Sequence, residues 1–490
     1  MSPEIMSIGL LLFTIYLAVM VLVGVISARY QKTSADFWVA NRSIGLPVLV
    51  MANMAAIMHG GSVLSGVALM GNVGGIAGLP YLAFVGGFAV IFFFFAKKLR
   101  DSRGFTMPDY MGDRFDSNFL RGFSALIVAI SSIIYLIGQT RVMGFVLEQL
   151  LGIPFFWGMF VGTIIFVFYV AMGGLLAVVW TNIVQFVFMW LGLLLMAPYV
   201  YERVGGWYDV IDKVEALAPG WTSPQGTSWS ASFLISWYVI WFVAYCTRLE
   251  LVTKMYAARD DKIARRSLPW TILLVMIFLL YGNFYIGGAA RILVWDTISS
   301  PDQAFPTLVA TILPPVFAAF ALTGIASAAM STTDSLLLMS GAAVAHDLLR
   351  KCIHEPRGIV KNERYYLRGS QLTIVGVGTI AFLGAIPDVD LVLQIVSYAV
   401  AILGATFFFP LLVGLTTKRV SREAAIASSV GGAVVTACWT WARIAGAPWA
   451  QELHPGVIGL AAAGILIFAV SLATKPVTSE KLKKFFPEKT

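Results

Sequence analysis

Charge is what this 490-residue chain has least of. Asp, Glu, Lys and Arg make up 12% of it, about half the share in a soluble globular domain, while 59% is hydrophobic. Cysteine is scarce as well. Cys246, Cys352 and Cys438 lie far apart with no C-x-x-C spacing, so neither a disulfide frame nor a thiolate metal site is suggested. There are four histidines and no H-E-x-x-H pattern, and no nucleophile–base set converges, which argues against a membrane-embedded enzyme. Repeated filter loops and charge rings, the marks of a channel, are missing too. The longest loops, about 202–230 and 349–367, are shorter than the ~50 residues of the smallest ordinary domain. The tail after the last apolar segment is also short, so no fused kinase or sensor module is expected.

What is there is a succession of apolar segments, each long enough for the ~20 residues that cross a bilayer as a helix. Thirteen are read, at about 5–28, 45–71, 79–96, 122–150, 154–174, 180–201, 231–256, 268–290, 306–348, 368–386, 391–416, 423–444 and 455–474. The expected fold is all-α and polytopic, with the lipid bilayer as its first partner. The first segment is read as a span and not a cleaved leader, because Glu4 precedes it, no basic stretch does, and no A-x-A-like end follows.

The basic residues are unevenly placed. Of 34 Lys and Arg, 28 fall in the loops after odd-numbered spans and in the tail. Arg203, Lys213, Arg291 and Arg443 lie on the other side, and Arg141 and Arg248 inside spans. The positive-inside rule then puts the N-terminus outside and the C-terminus in the cytoplasm of a bacterial-type plasma membrane. The net charge of +8 is thus a topology signal, not a nucleic-acid footprint.

Two segments break the apolar pattern. Residues 325–338, IASAAMSTTDSLLL, place Ser327, Ser331, Thr332, Thr333 and Ser335 with Asp334 in a membrane-length run. On a helix Ala328, Ser331 and Thr332 fall at i, i+3 and i+4 and share a face. Two hydroxyls there, with any freed carbonyl, suit a small hard cation such as Na⁺. Spacing alone favours a close-packing face instead, since small residues let membrane helices approach. Residues 52–65, ANMAAIMHGGSVLS, carry Asn53, His59, Gly60, Gly61 and Ser62 in mid-span, where paired glycines weaken a helix. Non-helical backbone at membrane depth is tolerated where it is buried or lines a cavity, and transporters use such breaks to expose carbonyls. A packing kink is the alternative.

With these residues the sequence resembles the sodium:solute symporters, the family of bacterial proline, pantothenate and acetate carriers. The carrying motifs are DFWVANRSIG at 36–45, YVAMGGLLAVVWTNIVQ at 169–185, AMSTTDS at 329–335, and LGATFFFP at 403–410 followed by Lys418-Arg419. The resemblance implies a five-plus-five inverted repeat of the leucine-transporter type. Its halves would be 45–203 and 231–417, with an extra N-terminal span and loop in 1–44 and two spans plus tail in 418–490. It implies a Na⁺ site made by the carbonyls of Ala55, Met58 and Ala328 and the hydroxyls of Ser331 and Thr332. It implies import of a small solute with Na⁺, the only cofactor expected; no obligate protein partner and no further metal is expected.

The sequence departs from the family at Ile57, where the proline carriers have Asp, at His59 in place of Ser, and at Asn182 in place of the W-T-D aspartate. Fewer acids make a second cation site doubtful and favour one Na⁺ per solute. Phe408 replaces a glycine, which should narrow or stiffen that helix. Candidate solute contacts are His59, Gln139, Arg141, Trp241 and Tyr245. Arg141 is placed deep in its span, where a planar fork would meet a carboxylate; pairing with Glu148, two turns on, is the alternative. His59 lines the cavity or bonds across helices. Trp237, Trp241 and Tyr245, at i, i+4 and i+8, form a stripe that is a binding wall or a packing face. Arg248 and Glu250 are read as snorkelling or pairing near a cytoplasmic end, and Asp334 as structural. The 105–110 stretch, FTMPDY, and the 136–148 stretch, LIGQTRVMGFVLE, lie closer to the carboxylate carriers than to the sugar carriers, so a carboxylate or amino acid is the expected solute. A neutral solute such as a sugar or urea, or a membrane sensor or channel, remains the alternative.

Overall fold

In hydrocarbon every backbone N–H and C=O must find a partner within the protein, which leaves helices as the economical solution for an apolar chain of this kind. The computed structural model describes residues 3–29, 43–74, 83–102, 106–387, 392–478 and 480–486. Among them there is no strand, only an isolated bridge between Ile44 and Ala258. Most of the 36–45 motif lies outside the described residues.

The helices in chain order begin with α1 (Pro3–Ala28), α2 (Leu46–Ile57) and α3 (Gly61–Asn72). Next come α4 (83–102), the short α5 (Met107–Arg114), α6 (Asn118–Leu151) and α7 (Phe155–Val204). The surface helix α8 (Trp207–Leu217) is followed by α9 (Ala231–Thr247), α10 (Leu249–Ala257) and α11 (Asp261–Leu293). The rest are α12 (Ala304–Ile312), α13 (Pro315–Arg357), α14 (Glu363–Ala385), α15 (Val392–Thr416), α16 (Arg422–Ile444) and α17 (Pro455–Ala473). Several start at side-chain caps, where a hydroxyl, carboxylate or amide oxygen accepts an otherwise orphaned N–H. Thr106, Ser117, Ser230, Asp260, Asn362 and Ser421 do this for α5, α6, α9, α11, α14 and α16.

Among the described residues, ten helices are long and apolar enough to cross a membrane, or eleven if the bent pair α2–α3 counts as one span. The sequence reading of thirteen is higher for two reasons. It divides α7, whose 50 residues do part into two helices at Gly174 (φ 53, ψ −166), so the two spans expected there stand, and it counts α4, whose end carries Lys97, Lys98 and Arg100. A straight 50-residue helix would be about 75 Å long, far more than the ~30 Å of hydrocarbon. The ninth span also starts later than expected. The chain breaks at Leu313-Pro314, so α12 is separate and α13 begins at Pro315.

The hydroxyl-rich α13 is the central post. Its most apolar window is 83% buried against 28% for α1 and α14, and it packs on α7, α6, α1, α14 and α2. Small residues allow this: a Cβ on Gly324 would lie 2.8 Å from the Phe188 carbonyl oxygen. Packing and ligation are alternatives on spacing alone; on α13 the two contacts lie two turns apart along one stripe, Gly324 against α7 and Ser331 against α2.

Candidate sodium and solute site

The site begins with a backbone that runs out of helix. α2 stops at Ile57, and α3 restarts at Gly61 at 61° to it. The bend removes ordinary partners from the last α2 carbonyls. The Gly60 N–H, which would have bonded back to Ala56, donates instead to Gln139 Oε1 at 3.0 Å. Ser62 then closes the break, its hydroxyl donating to the carbonyls of Ile57 (3.0 Å) and His59 (2.9 Å). Gly60 is required by close approach, because a Cβ there would sit 2.8 Å from Gln139 Oε1 and 3.0 Å from Ala329 Cβ.

Facing those carbonyls are the hydroxyls of α13. Ser331 Oγ lies 2.8 Å from the Ala55 carbonyl oxygen and 2.9 Å from that of Ala328. Thr332 Oγ1 lies 3.1 Å from the carbonyl oxygen of Ala56. Three of the five expected sodium ligands, Ala55, Ala328 and Ser331, are therefore in contact, while the Thr332 hydroxyl meets Ala56, a carbonyl outside the expected set. Met58 sits buried at the break itself, with φ −76 and ψ 60. Carbonyls at a break plus hydroxyls from a facing helix form an oxygen set suited to a small hard cation.

The surprise of the site is its cations. Arg248 lies between α9 and α10 in extended backbone (φ −58, ψ 118), a second break that the sequence reading ran through as one span. It does not snorkel. It is 2% exposed, its Nη2 donates to the Ala56 carbonyl (2.9 Å) and to the Tyr135 hydroxyl (3.1 Å), and its Nε donates to Glu250 at 2.6 Å. Lys254, counted in the sequence as a loop charge, is likewise buried on α10, with Nζ donating to the Ala52 carbonyl at 2.7 Å. Burial of the pair is tolerable because Arg248 and Glu250 neutralise each other. The signal was present in Arg248-x-Glu250-x-x-x-Lys254, three charges within an apolar stretch, and charge there is functional by default.

Arg141 goes elsewhere. Its guanidinium caps the end of α14, donating to the carbonyls of Ala385 (3.2 Å) and Pro387 (3.0 Å), and stacks over Phe155 at 5.2 Å. A cation on orphaned C-terminal carbonyls is a standard helix-end contact. The Arg141–Glu148 pair considered as an alternative is not formed among the described residues. Arg141 therefore does not join the cluster of His59, Gln139, Trp241 and Tyr245.

Those four are buried, and aromatic contacts link three of them to the break. His59 packs edge-on against Tyr135 (5.4 Å), which bonds Arg248; Arg248 stacks over Tyr245 (5.6 Å), and Tyr245 packs on Trp241 (6.2 Å). The Trp237–Trp241–Tyr245 stripe thus faces protein, with Phe84 and Phe88 against Tyr245. His59 Nδ1 accepts the Ser62 N–H at 3.2 Å, which places the proton of a neutral ring on Nε2. That nitrogen, Gln139 Nε2, Arg248 Nη1 and Trp237 Nε1 are buried without a hydrogen-bond partner among the described residues. Each is a donor.

Asp334 is held by Tyr169, Gln185 and Thr181 of α7, which accords with a structural role. Asn182, in the place of an acid, is buried with both amide atoms unpartnered.

Comparison with known proteins identifies the family. The profile of the sodium:solute symporter family matches residues 37–432. The high-affinity proline transporter of Bacillus subtilis is 26% identical, over 93% of this chain and 96% of its own length. The sodium/proline symporter of Salmonella typhimurium is 27% identical, over 97% and 95%. Among solved structures, a substrate-bound, outward-open Na⁺-coupled sialic acid symporter superposes with a TM-score of 0.77 at 20% identity, covering 96% of this chain and 98% of that one. The chain belongs to the sodium:solute symporter family: it is a multi-pass membrane transporter, not an enzyme, and it couples movement of a small organic solute to Na⁺.

Proposed function

We propose that the solute bears a carboxylate, and that one Na⁺ is held with it by the carbonyls of Ala55, Met58 and Ala328 and the hydroxyls of Ser331 and Thr332. The observation that carries the solute reading is the set of unpartnered buried donors around the α2–α3 break: His59 Nε2, Gln139 Nε2 and Arg248 Nη1. Buried donors left unmade are expensive, by about 1–3 kcal/mol each, and an acceptor-only group relieves several at once. A sugar or urea brings donors of its own. Proline, the solute in the names of the similar Bacillus and Salmonella proteins, carries such a carboxylate. The fifth expected contact, Arg141, gives way to Arg248 in this reading.

The two breaks, α2–α3 and α9–α10, open the segments 45–203 and 231–417, which supports reading these as the two inverted repeats. The charge asymmetry supports an N-terminus outside and a C-terminus in the cytoplasm. Ile57 and Asn182 supply no second acidic ligand, which supports one Na⁺ per solute.

Uptake into vesicles under an inward Na⁺ gradient tests the reading. Proline or a short monocarboxylate should accumulate only with Na⁺, and prolinamide, of like shape without the carboxylate, should compete poorly. Equal transport of prolinamide, or accumulation of a sugar or urea instead, would overturn it.

A further inference from the structure

A second polar cluster lies away from the sodium and solute site, on the face that the basic loops mark as cytoplasmic. Asp109 is on α5, and His346 and Asp347 are on the end of α13 where it winds as a π-helix (Ala343–His354). π-winding inside a long helix is rare and frequent at functional sites. All three side chains are buried, and one donor atom from each lies within 4.8 Å of the other two. His346 Nε2 is 3.4 Å from Asp109 Oδ2.

The surroundings hold these groups in place. Arg121 donates to Asp109 Oδ1 at 2.9 Å and to Asp113 at 2.6 Å, and Thr106 Oγ1 donates to Asp347 Oδ2 at 2.7 Å. The remaining oxygen, Asp347 Oδ1, is fully buried and has no hydrogen-bond partner among the described residues. A buried carboxyl oxygen without a hydrogen-bond partner is the kind of group that a structure normally satisfies. Among the described residues no donor is hydrogen-bonded to it, and a ligand atom each of His346 and Asp109 lies within 4.8 Å of an Asp347 carboxylate oxygen.

We propose that Asp109, His346 and Asp347 form a site for a divalent transition-metal ion, separate from the sodium site, that ties α5 to the end of α13. Two carboxylate oxygens and one imidazole nitrogen suit Zn²⁺ or Mn²⁺ better than Na⁺ or Ca²⁺, which favour all-oxygen shells. Arg121 on Asp109 and Thr106 on Asp347 are the outer hydrogen bonds that orient ligating carboxylates. The positive charge of Arg121 is shared with Asp113, which leaves the three ligands able to accept a cation.

Zn²⁺ is the probe. The full chain, purified in detergent, is titrated against a chromogenic chelator, and its melting temperature is followed with and without Zn²⁺. One Zn²⁺ per chain should bind and raise the melting temperature reversibly. His346→Ala and Asp347→Asn should each weaken binding by about tenfold or more. His354→Gln, at a histidine bonded to Tyr366, should bind as the parent does. Absence of Zn²⁺ binding and of any chelator-reversible shift in the parent overturns the proposal, as does undiminished binding in His346→Ala. The parent measurement decides the matter even if a variant does not fold. Because binding is read without transport, the result is independent of the solute reading.

Discussion

Single side chains divide the roles at the α2–α3 break. Ser331 and Thr332 each bring one oxygen to carbonyls that the break has freed. Replacing either by Ala removes an interaction of the charged-group kind, about 1.5–3 kcal/mol. The Na⁺ concentration for half-maximal transport should therefore rise roughly ten- to hundredfold, measured as Na⁺ dependence of uptake; an unchanged value in both variants would remove these residues from the site. Arg248 calls for a pairwise design. Arg248→Gln alone strands Glu250 in the interior, at about 3–5 kcal/mol, so lost transport would not distinguish folding from binding. Arg248→Gln with Glu250→Gln removes both charges together. The double variant should regain thermal stability and, if the proposed carboxylate contact is right, still bind solute poorly. Regained solute affinity would show that Arg248 only partners Glu250. Arg141→Ala, by contrast, should lower stability without changing Na⁺ dependence, because its hydrogen bonds end α14.

Among the elements, α7 and the 205–230 segment show backbone and loop chemistry most clearly. Gly174 adopts φ 53, ψ −166, a region open in practice to glycine alone. Gly174→Ala should therefore destabilise by about 1–3 kcal/mol, seen as a lower melting temperature, whereas Gly376→Ala, with open space around its Cβ, should not. The loop after α8 closes over the end of α3: the Trp221 indole N–H donates to the Met70 carbonyl and the Thr227 N–H to that of Val73, both at 2.6 Å. Glu215 holds that loop in shape, accepting from the N–H groups of Gly220 (2.7 Å) and Thr222 (2.8 Å) and from the Thr222 hydroxyl (2.9 Å). These donors hold its carboxyl below the ordinary carboxylate range. A depressed acid stabilises when ionised, so the contribution is complete above its ordinary pKa of 4.5 and is lost as pH falls through the lowered one. Limited proteolysis should find the 205–230 segment protected at pH 7 and released in acid. Glu215→Gln should release it at pH 7 and remove the pH dependence.

The whole molecule is closed around its centre by polar contacts at both ends. On one side Asp302 accepts from the Ser65 hydroxyl of α3 (2.6 Å) and from the Val392 N–H that opens α15 (3.1 Å). On the other, Tyr110 and Arg114 of α5 reach the carbonyls of Pro410, Gly414 and Thr417 at the far end of the same α15. Asp302→Ala should speed hydrogen exchange in α3 and the first turns of α15, and Arg114→Ala in α5 and the last turns of α15. If either variant loosens both ends equally, the two contacts are not independent latches.

Much of this protein is decided by local composition. Apolar length, the scarcity of charge and the Lys/Arg asymmetry are one-dimensional quantities, and bilayer physics converts them directly into a helical membrane fold. The hydroxyl spacing at Ala328, Ser331 and Thr332 was legible for the same reason, since helical periodicity alone puts them on one face, and His-Gly-Gly marked the first break because glycine weakens helices. Other features depended on what a residue meets. Arg141 and Arg248 are alike in sequence, each a basic residue in an apolar run, yet one ends a neighbouring helix and the other enters the site. Nothing local separates them, because their partners, Ala385 and Ala56, are 244 and 192 residues away. The second break has no glycine to announce it. It exists because Arg248 gains Glu250, Tyr135 and a freed carbonyl, and only the packed fold brings those three together.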